Sequence, residues 1–563
     1  MSSNTPPGPH DASGPHDGAA RPAAGSPEYL GMGAPVDADP SGQPRRWPVL
    51  GGVAVGVAAV VGLGGWGAFA LLSGGGAQPA EVIPADAVAY LSLDLDPSAS
   101  QKVEAFEILK KFPGLREELG LDTTDDLRRL VFEKIQDEGE CTDLDYDSDI
   151  KPWIGERLAL AAVPDDKPGA DAPVVALQVG DRDAAERGIR ALADCGGAGD
   201  DFGFAFTGDY VLVTDSQQRA AAIAAGVEDG SLADDPAFQD WTGKVGDPGI
   251  LTMYAAPGAP GYFADLQHDA SQGWGGYGPQ AGLMAESDHN RAAETTRSLY
   301  EDFKGMAVTV RFDDGAVEAE FAGEGLPAGL SSSDGTTGPG LADLPASTGA
   351  AFSVGLPDGW LDGWLDSMNG FLGAGGSTEE MLAQAEAETG LTLPEDIETL
   401  FGDGVSLSFD ADTDLDAVFE AQDPTRLPVG LRVKGNPDAI LPIVEKLRAA
   451  IGPEADMVLA EAGDGMVAFG LNPDYLETLL AGGALGDEDS FRDAVPDAER
   501  ATGALYVNFD AGDGWAEHLA ELLSDSDGTA SPAGENIAPL DALGVSTWVD
   551  GDDQRVLFRM TSD

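Results

Sequence analysis

A long internal duplication constrains the fold of this chain more than any other feature. Pro84-Ala85-Asp86-Ala87 recurs as Pro345-Ala346-Ser347-Thr348, and Gly120-Leu121, Leu127 and Leu130 recur as Gly390-Leu391, Ile397 and Leu400. Ile154-Gly155-Glu156 aligns with Phe401-Gly402-Asp403, Val175-x-Leu177-x-Val179 with Val429-x-Leu431-x-Val433, and Tyr210-Val211 with Met466-Val467. Leu251-Thr252-Met253-Tyr254 aligns with Ala504-Leu505-Tyr506-Val507, and Gly305-Met306 with Gly544-Val545. One repeat of about 240 residues predicts two homologous domains, at 80–326 and 342–563, because solenoid repeats are far shorter. The Gly/Ser/Thr/Pro-rich stretch 327–341 reads as their linker. The first copy carries insertions between Leu130 and Ile154 and around Ser271–Ala285.

Within each copy the pattern predicts an α+β domain: an antiparallel sheet with helices packed on one face. Val174–Val179 alternates with strand period, and Phe202, Phe204 and Phe206 share one face of the next strand. Gly208-Asp209 then turns the chain into Tyr210–Thr214. The counterpart is Met457–Ala460, the turn Gly463-Asp464-Gly465, and Met466–Gly470. Between these hairpins, Asn436 caps a helix with Pro437 in its first turn and Ile440, Ile443, Val444, Leu447 and Ile451 as its apolar stripe. Thr123-x-x-Asp126 and Thr392-x-x-Glu395 read as capping boxes.

The front of the chain has a different character. Residues 1–47 are rich in Pro, Gly, Ala, Asp and Ser and predict a disordered tail. Val49–Leu72 is almost wholly apolar, and its 24 residues would make a helix of roughly 36 Å, enough for a hydrocarbon core of about 30 Å. One transmembrane helix is therefore expected over 48–73, with no lipoprotein-type Cys after it. Arg45 and Arg46 precede the span and the first charge after it is Glu81, which places the tail in the cytoplasm and the repeats outside. The formal net charge is −68, of which the tail holds only −2. That excess excludes nucleic acid as a partner and disfavours docking on anionic head groups. It leaves the oligomeric state open.

Residues 84–113 contain Pro84-Ala85-Asp86-Ala87-Val88-Ala89-Tyr90, Asp94-Leu95-Asp96-Pro97-Ser98, Gln101-Lys102 and Lys110-Lys111-Phe112-Pro113. This run resembles the start of the bacterial family called domain of unknown function 3352, common in actinobacteria. The resemblance extends over roughly 78–563. It implies an exported, membrane-tethered α+β protein and supplies no catalytic residue. The second copy departs from the pattern: Leu356-Pro357 replaces Asp96-Pro97 and the Gln-Lys pair is missing. Any role for Asp94, Asp96, Gln101 or Lys102 thus belongs to the first copy.

Asp143, Asp145, Asp147 and Asp149 alternate as in the first half of a calcium-binding loop and are the candidate metal ligands. Ser148 stands at the Gly position and Ile154 at the closing Glu, so a solvated acidic loop is the simpler reading. Asp410, Asp412, Asp414 and Asp416 repeat the spacing with the same defects. Cys141 and Cys195 are the chain's two cysteines, and both belong to the first copy. On the oxidising side of a membrane they are a candidate disulfide. Motifs of serine hydrolases, zinc proteases and phosphate-binding loops are absent. Outside the membrane only His268, His289 and His518 are available to a His-based triad, the first two flanking a loop with Trp274 and Tyr277. No catalytic residue and no cofactor is assigned. The expected function is a binding or scaffolding module of the cell envelope, bound to the membrane through one helix, with an envelope protein or lipid as partner. A lipid- or hydrophobe-binding protein is the alternative, and a hydrolase the less favoured one.

Overall fold

The computed structural model describes residues 78–94, 144–165, 173–195, 202–264, 300–326, 340–363, 378–413, 423–512 and 537–562, with single residues between them. The tail 1–47 and the span expected at 48–73 lie outside the described residues. Among the described residues no helix is long and apolar enough to cross a membrane.

The fold is α+β, on one large antiparallel sheet. The first copy supplies β1 (Ala89–Asp94), β2 (Ile154–Ala162), β3 (Val174–Val179), β4 (Gly203–Thr207), β5 (Tyr210–Thr214), β6 (Leu251–Ala255), β7 (Gly305–Asp313) and β8 (Ala316–Glu324). The second supplies β9 (Thr348–Gly355), β10 (Gly404–Asp410), β11 (Val429–Lys434), β12 (Leu459–Gly463), β13 (Met466–Gly470), β14 (Gly503–Asn508), β15 (Leu540–Asp550) and β16 (Asp553–Ser562). The strand order is β12-β13-β11-β10-β9-β14-β15-β16-β8-β7-β6-β1-β2-β3-β5-β4. Each half has the same order, read outward from the seam where β8 pairs with β16. The expected pair of separate sheets is therefore a single sixteen-stranded sheet. The halves meet edge to edge, so β8 and β16 cover each other's unpaired backbone.

Among the described residues the helices given whole are α1 (Arg182–Cys195), α2 (Gln217–Asp229), α3 (Pro236–Lys244), α4 (Thr378–Thr389), α5 (Glu395–Phe401), α6 (Pro437–Ile451), α7 (Pro473–Ala481) and α8 (Asp489–Ala494). They pack on both faces of the sheet, not on one face as the sequence pattern predicts. Tyr90, Ala159, Ala176 and Leu212 pack against α2 and α3 on one side of the first half. Val175, Val179, Val211 and Val213 pack against Ala185 and Ile189 of α1 on the other. The cause is visible in β3 and β5, which are apolar on both faces and need cover on both. In the second half α7 and α8 share a core with Ala351, Ala504 and Tyr506. Ile440 and Val444 of α6 pack with Val405 and Val433 on the opposite side. The capping asparagine of α6 is as expected, with Asn436 Oδ1 accepting from Asp438 N at 3.0 Å. Ile451, at the end of its stripe, is instead 64% exposed.

The duplication extends to side-chain pairs. Phe238 of α3 meets Tyr254 of β6 edge-on at 5.1 Å, and Phe491 of α8 meets Tyr506 of β14 edge-on at 5.1 Å. Such pairs contribute about 0.5–1.5 kcal/mol beyond their buried area. Tyr254 lies opposite Tyr90 in the first half, and Tyr506 opposite Ala351 in the second. This corrects the sequence alignment by one residue: Tyr254 corresponds to Tyr506, not to Val507. A one-residue slip would have moved the whole strand to the other face.

We call the side carrying α2, α3, α7 and α8 the inner face. Along the central strands it is built from small residues: Ala159, Ala161, Ala307, Ala322, Ala504 and Gly544 are all buried. Helices approach closely there; a Cβ on Gly544 would lie 2.0 Å from the Ala494 carbonyl oxygen. The larger aliphatic side chains of the same strands point to the outer face and are mostly half-buried.

Candidate functional site: an apolar outer face beside a charged seam

Asp143 lies outside the described residues. Asp145 accepts from Ser148 N at 3.0 Å, and the Asp149 carboxylate accepts from Asp145 N at 2.9 Å. Asp147 faces Arg129 at 2.8 Å and Lys151 at 3.4 Å. The hydrogen bond from Arg129 holds the Asp147 carboxyl below the usual range. These three carboxylates close and brace a turn rather than converge on one point. Among the described residues no group of three or more His, Cys, Asp or Glu is placed to hold a metal ion. Asp410 accepts from Asp412 N at 3.0 Å, while Asp414 and Asp416 lie outside the described residues. So do His268, His289, His518, Trp274, Tyr277, Asp96, Gln101 and Lys102. Cys195 is disulfide-bonded; its expected partner, Cys141, lies outside the described residues.

Asp94, at the end of β1, is paired with Arg157 of β2 at 2.8 Å, and Arg157 is buried. Burial raises the phenols of Tyr90 and Tyr210, which feel this pair, well above their ordinary range. Cross-strand register puts Gly355 and Gly404 at the equivalent positions of the second half. Arg157 was not singled out from the sequence, since an arginine inside an alternating strand carries no motif.

The strongest charged constellation sits at the seam, on the inner face. Glu318 and Glu320 of β8 meet Arg559 and Arg555 of β16. Arg559 reaches Glu318 at 2.6 Å and Asp313 at 3.0 Å, and Arg555 reaches Glu320 at 2.5 Å. Arg311 of β7 pairs with both glutamates, at 2.8 Å to Glu320. Burial opposes the charge on Arg311 and Arg559, but their carboxylate partners outweigh it and raise both. Arg500 stacks on Trp548 with 4.0 Å between guanidinium carbon and ring centre. Arg311, Glu318, Glu320, Arg500, Trp548 and Arg559 line a cleft of about 340 Å³. Arg559 is buried, Arg311 and Arg555 are at most 16% exposed, and each of the three is paired with a carboxylate. The cluster ties the halves together through charges that pair with one another.

The outer face behaves differently. One row of laterally paired residues crosses every strand without a polar side chain. From Ala460 on β12 it passes through Phe469, Leu431, Leu407, Phe352, Leu505 and Val545 to Phe558. It crosses the seam to Ala319 and continues through Val310, Leu251, Leu93, Leu158, Leu177 and Val211 to Phe206. The seam's local two-fold generates a second row beside it, containing Leu160, Leu91, Met253, Val308, Phe321 and Val556, with Thr547 as its polar member. At about 4.8 Å per strand each row runs about 70 Å along the sheet. Its outer thirds lie under α1 and α6, and Ile108 and Phe112 pack near Leu251, Phe312 and Val317. Phe352 and Leu407, directly paired in the second half, are 48% and 46% exposed.

These features define an α+β protein built on one duplicated sheet, welded by charge on one face and apolar on the other. Residues 53–199 match the model of the family described as "Protein of unknown function (DUF3352)", the family the sequence resembles. The match ends within the first half. No curated protein matches the chain. A solved structure titled "Structure of crystal form III of TP0453" is similar at 9% identity, covering 46% of this chain and 83% of its own, with a TM-score of 0.21. At that score it supports no argument about fold or function.

Proposed function

We propose that this chain is a membrane-tethered binding module of the cell envelope. Its tail is cytoplasmic, its span is 48–73, and its sheet lies outside, where the outer face holds an apolar chain such as the acyl chain of a lipid. The observation that carries this reading is the pair of adjacent apolar rows with Phe352 and Leu407 exposed at their second-half centre. Contiguous apolar surface on a protein mostly marks an interaction site. The rows present almost no hydrogen-bonding group, which suits a hydrocarbon ligand better than a polar peptide. The tether rests on the uncharged run Val49–Leu72 and the flanking Arg45 and Arg46.

A photo-crosslinking amino acid placed at Phe352 or Leu407 of the full chain in intact cells tests it. A lipid adduct at these sites, absent when the probe sits at exposed Glu461, is the expected result. Adducts with one envelope protein instead would support the scaffold alternative, and no adduct at either position would remove the outer face as a binding surface. Protease added to intact protoplasts should digest the region from 78 onward; protection would overturn the orientation.

A further inference from the structure

The sheet has two outer edges, the equivalent strands β4 and β12, and they are finished differently. On β4 the edge is closed by a side chain. Gln217 Nε2 donates to the Phe204 carbonyl at 2.9 Å, and Phe204 N donates to Gln217 Oε1 at 3.4 Å. Gln217 follows Ser216, the cap of α2; in the second half Asn472 caps α7 and Pro473 follows it. The amide that imitates a neighbouring strand is thus replaced by a side chain that cannot hydrogen-bond.

The hairpin geometry shows what this leaves open. Gly463 and Met466 flank the two-residue turn Asp464-Gly465, so they form a hydrogen-bonded pair. The pairs alternate along the ladder, so Ala462, one residue on, and Ala460, two further, direct N–H and C=O away from β13. Among the described residues no group bonds these outward atoms. The open stretch begins just past Val458, whose carbonyl accepts from Arg448 at 2.7 Å. Beside it Ile451, Met457 and Val458 are 64%, 60% and 43% exposed. Ala460 and Ala462 also end the two apolar rows of the outer face. Glu461 points to the inner face and is exposed, as are Glu454, Asp456 and Asp464 nearby.

We propose that the β12 edge receives an extended segment of a partner protein as an added strand, with apolar residues that continue the two rows and basic residues between them that face Glu461. Backbone hydrogen bonds to Ala460 and Ala462 supply the affinity, and the alternate side chains supply the selection. A second copy of this chain suits the edge poorly. It would bring its own Glu461, Glu454 and Asp456 to a surface already acidic, on a chain of net charge −68.

The test uses the full chain in lipid nanodiscs and a capped peptide of sequence Thr-Val-Arg-Val-Lys-Val-Thr, followed by fluorescence anisotropy and amide hydrogen exchange. Saturable binding with slowed exchange at Ala460 and Ala462 is expected. Ala460→Pro removes one outward N–H at an edge position where proline is tolerated, and should weaken binding at least about tenfold. Glu461→Lys, a surface change that spares the fold, should weaken it similarly, as should replacing the peptide's basic residues by Glu. The proposal is overturned if no binding occurs up to about 1 mM, or if wild type and Glu461→Lys bind alike. It is equally overturned if exchange at 460–462 is already slow without peptide in a concentration-dependent dimer.

Discussion

The two halves share a backbone plan at the seam and oppose each other in charge. Glu318 and Glu320 stand on β8, whereas Arg555 and Arg559 stand on β16. The register has a local two-fold centred on the Glu320–Leu557 pair, which makes Glu318 equivalent to Arg555. In a symmetric dimer of identical chains the same patch must complement itself. Covalent linkage of the copies lifts that restriction, so one strand is free to become acidic and the other basic. The seam then selects β8 against β16 and disfavours pairing of either strand with itself.

The largest test of this asymmetry is Glu320→Leu. Glu320 accepts from Arg311 at 2.8 Å and from Arg555 at 2.5 Å, and all three side chains are at most 16% exposed. The substitution leaves two buried guanidinium groups short of a carboxylate, which should cost about 3–5 kcal/mol. Urea unfolding of the full chain reads this out. A loss below about 1 kcal/mol would show that the seam is held by backbone pairing alone.

A second contrast is redox. The first half contains the disulfide-bonded Cys195, while the second half holds no cysteine. If Cys141 is the partner, the bridge closes a loop of about 55 residues and should contribute about 4 kcal/mol on the chain-entropy model. Cys195→Ser should lower the stability of the first half by a comparable amount and leave protease resistance around α7 and α8 unchanged. Equal loss in both halves would mean that they unfold as one unit.

Where the halves agree, their responses should agree. Phe238→Leu and Phe491→Leu each remove an edge-on contact with tyrosine at 5.1 Å, and Phe238→Leu also removes one with Tyr90 at 5.5 Å. Each should cost about 1–2 kcal/mol, with Phe491 at the upper end because it is buried. A cost confined to one half would break the side-chain equivalence drawn here.

The sequence exposed the duplication because it preserved turns, glycines and aliphatic alternation, which survive divergence. It missed the joining of the two sheets, since nothing in β8 or β16 announces that each is the other's neighbour. It also misjudged the helices: Val174–Val179 was legible as a strand, but alternation does not show that both of its faces are covered. The buried face is the one made of Ala159, Ala307 and Ala322, whereas Met253, Val308 and Phe321 are only half-buried. Residue size therefore points to the wrong side in the centre of the sheet, because close helix approach selects small residues. The aspartate run 143–149 looked like a ligand set, yet Arg129 and the turn's own amides use up the carboxylates described there. Arg157, Glu320 and Arg555 were illegible because their meaning lies in partners on other strands.

The smallest expected effect separates the halves by pH. Asp396, at the start of α5, bonds Lys446 of α6 at 2.8 Å and accepts from Thr392 N at 2.8 Å. The Lys446 bond, followed by the Thr392 amide, holds the Asp396 carboxyl below its ordinary value. A carboxyl lowered on folding contributes stability that is complete above its unfolded pKa, near 3.9, and is lost as pH falls through the folded value. Lys446 is 43% exposed, so the contribution is about 0.5 kcal/mol or less. Matching the capping residues Asp181 and Asn436, and the core residues Ile189 and Val444, puts Ala191 where the second half has Lys446, so α1 cannot make this ion pair. Lys446→Met should therefore flatten the acid limb of stability below about pH 4 for probes in the second half and leave probes in the first half unmoved. An equal change at both would mean that the seam transmits even this small perturbation across the sheet.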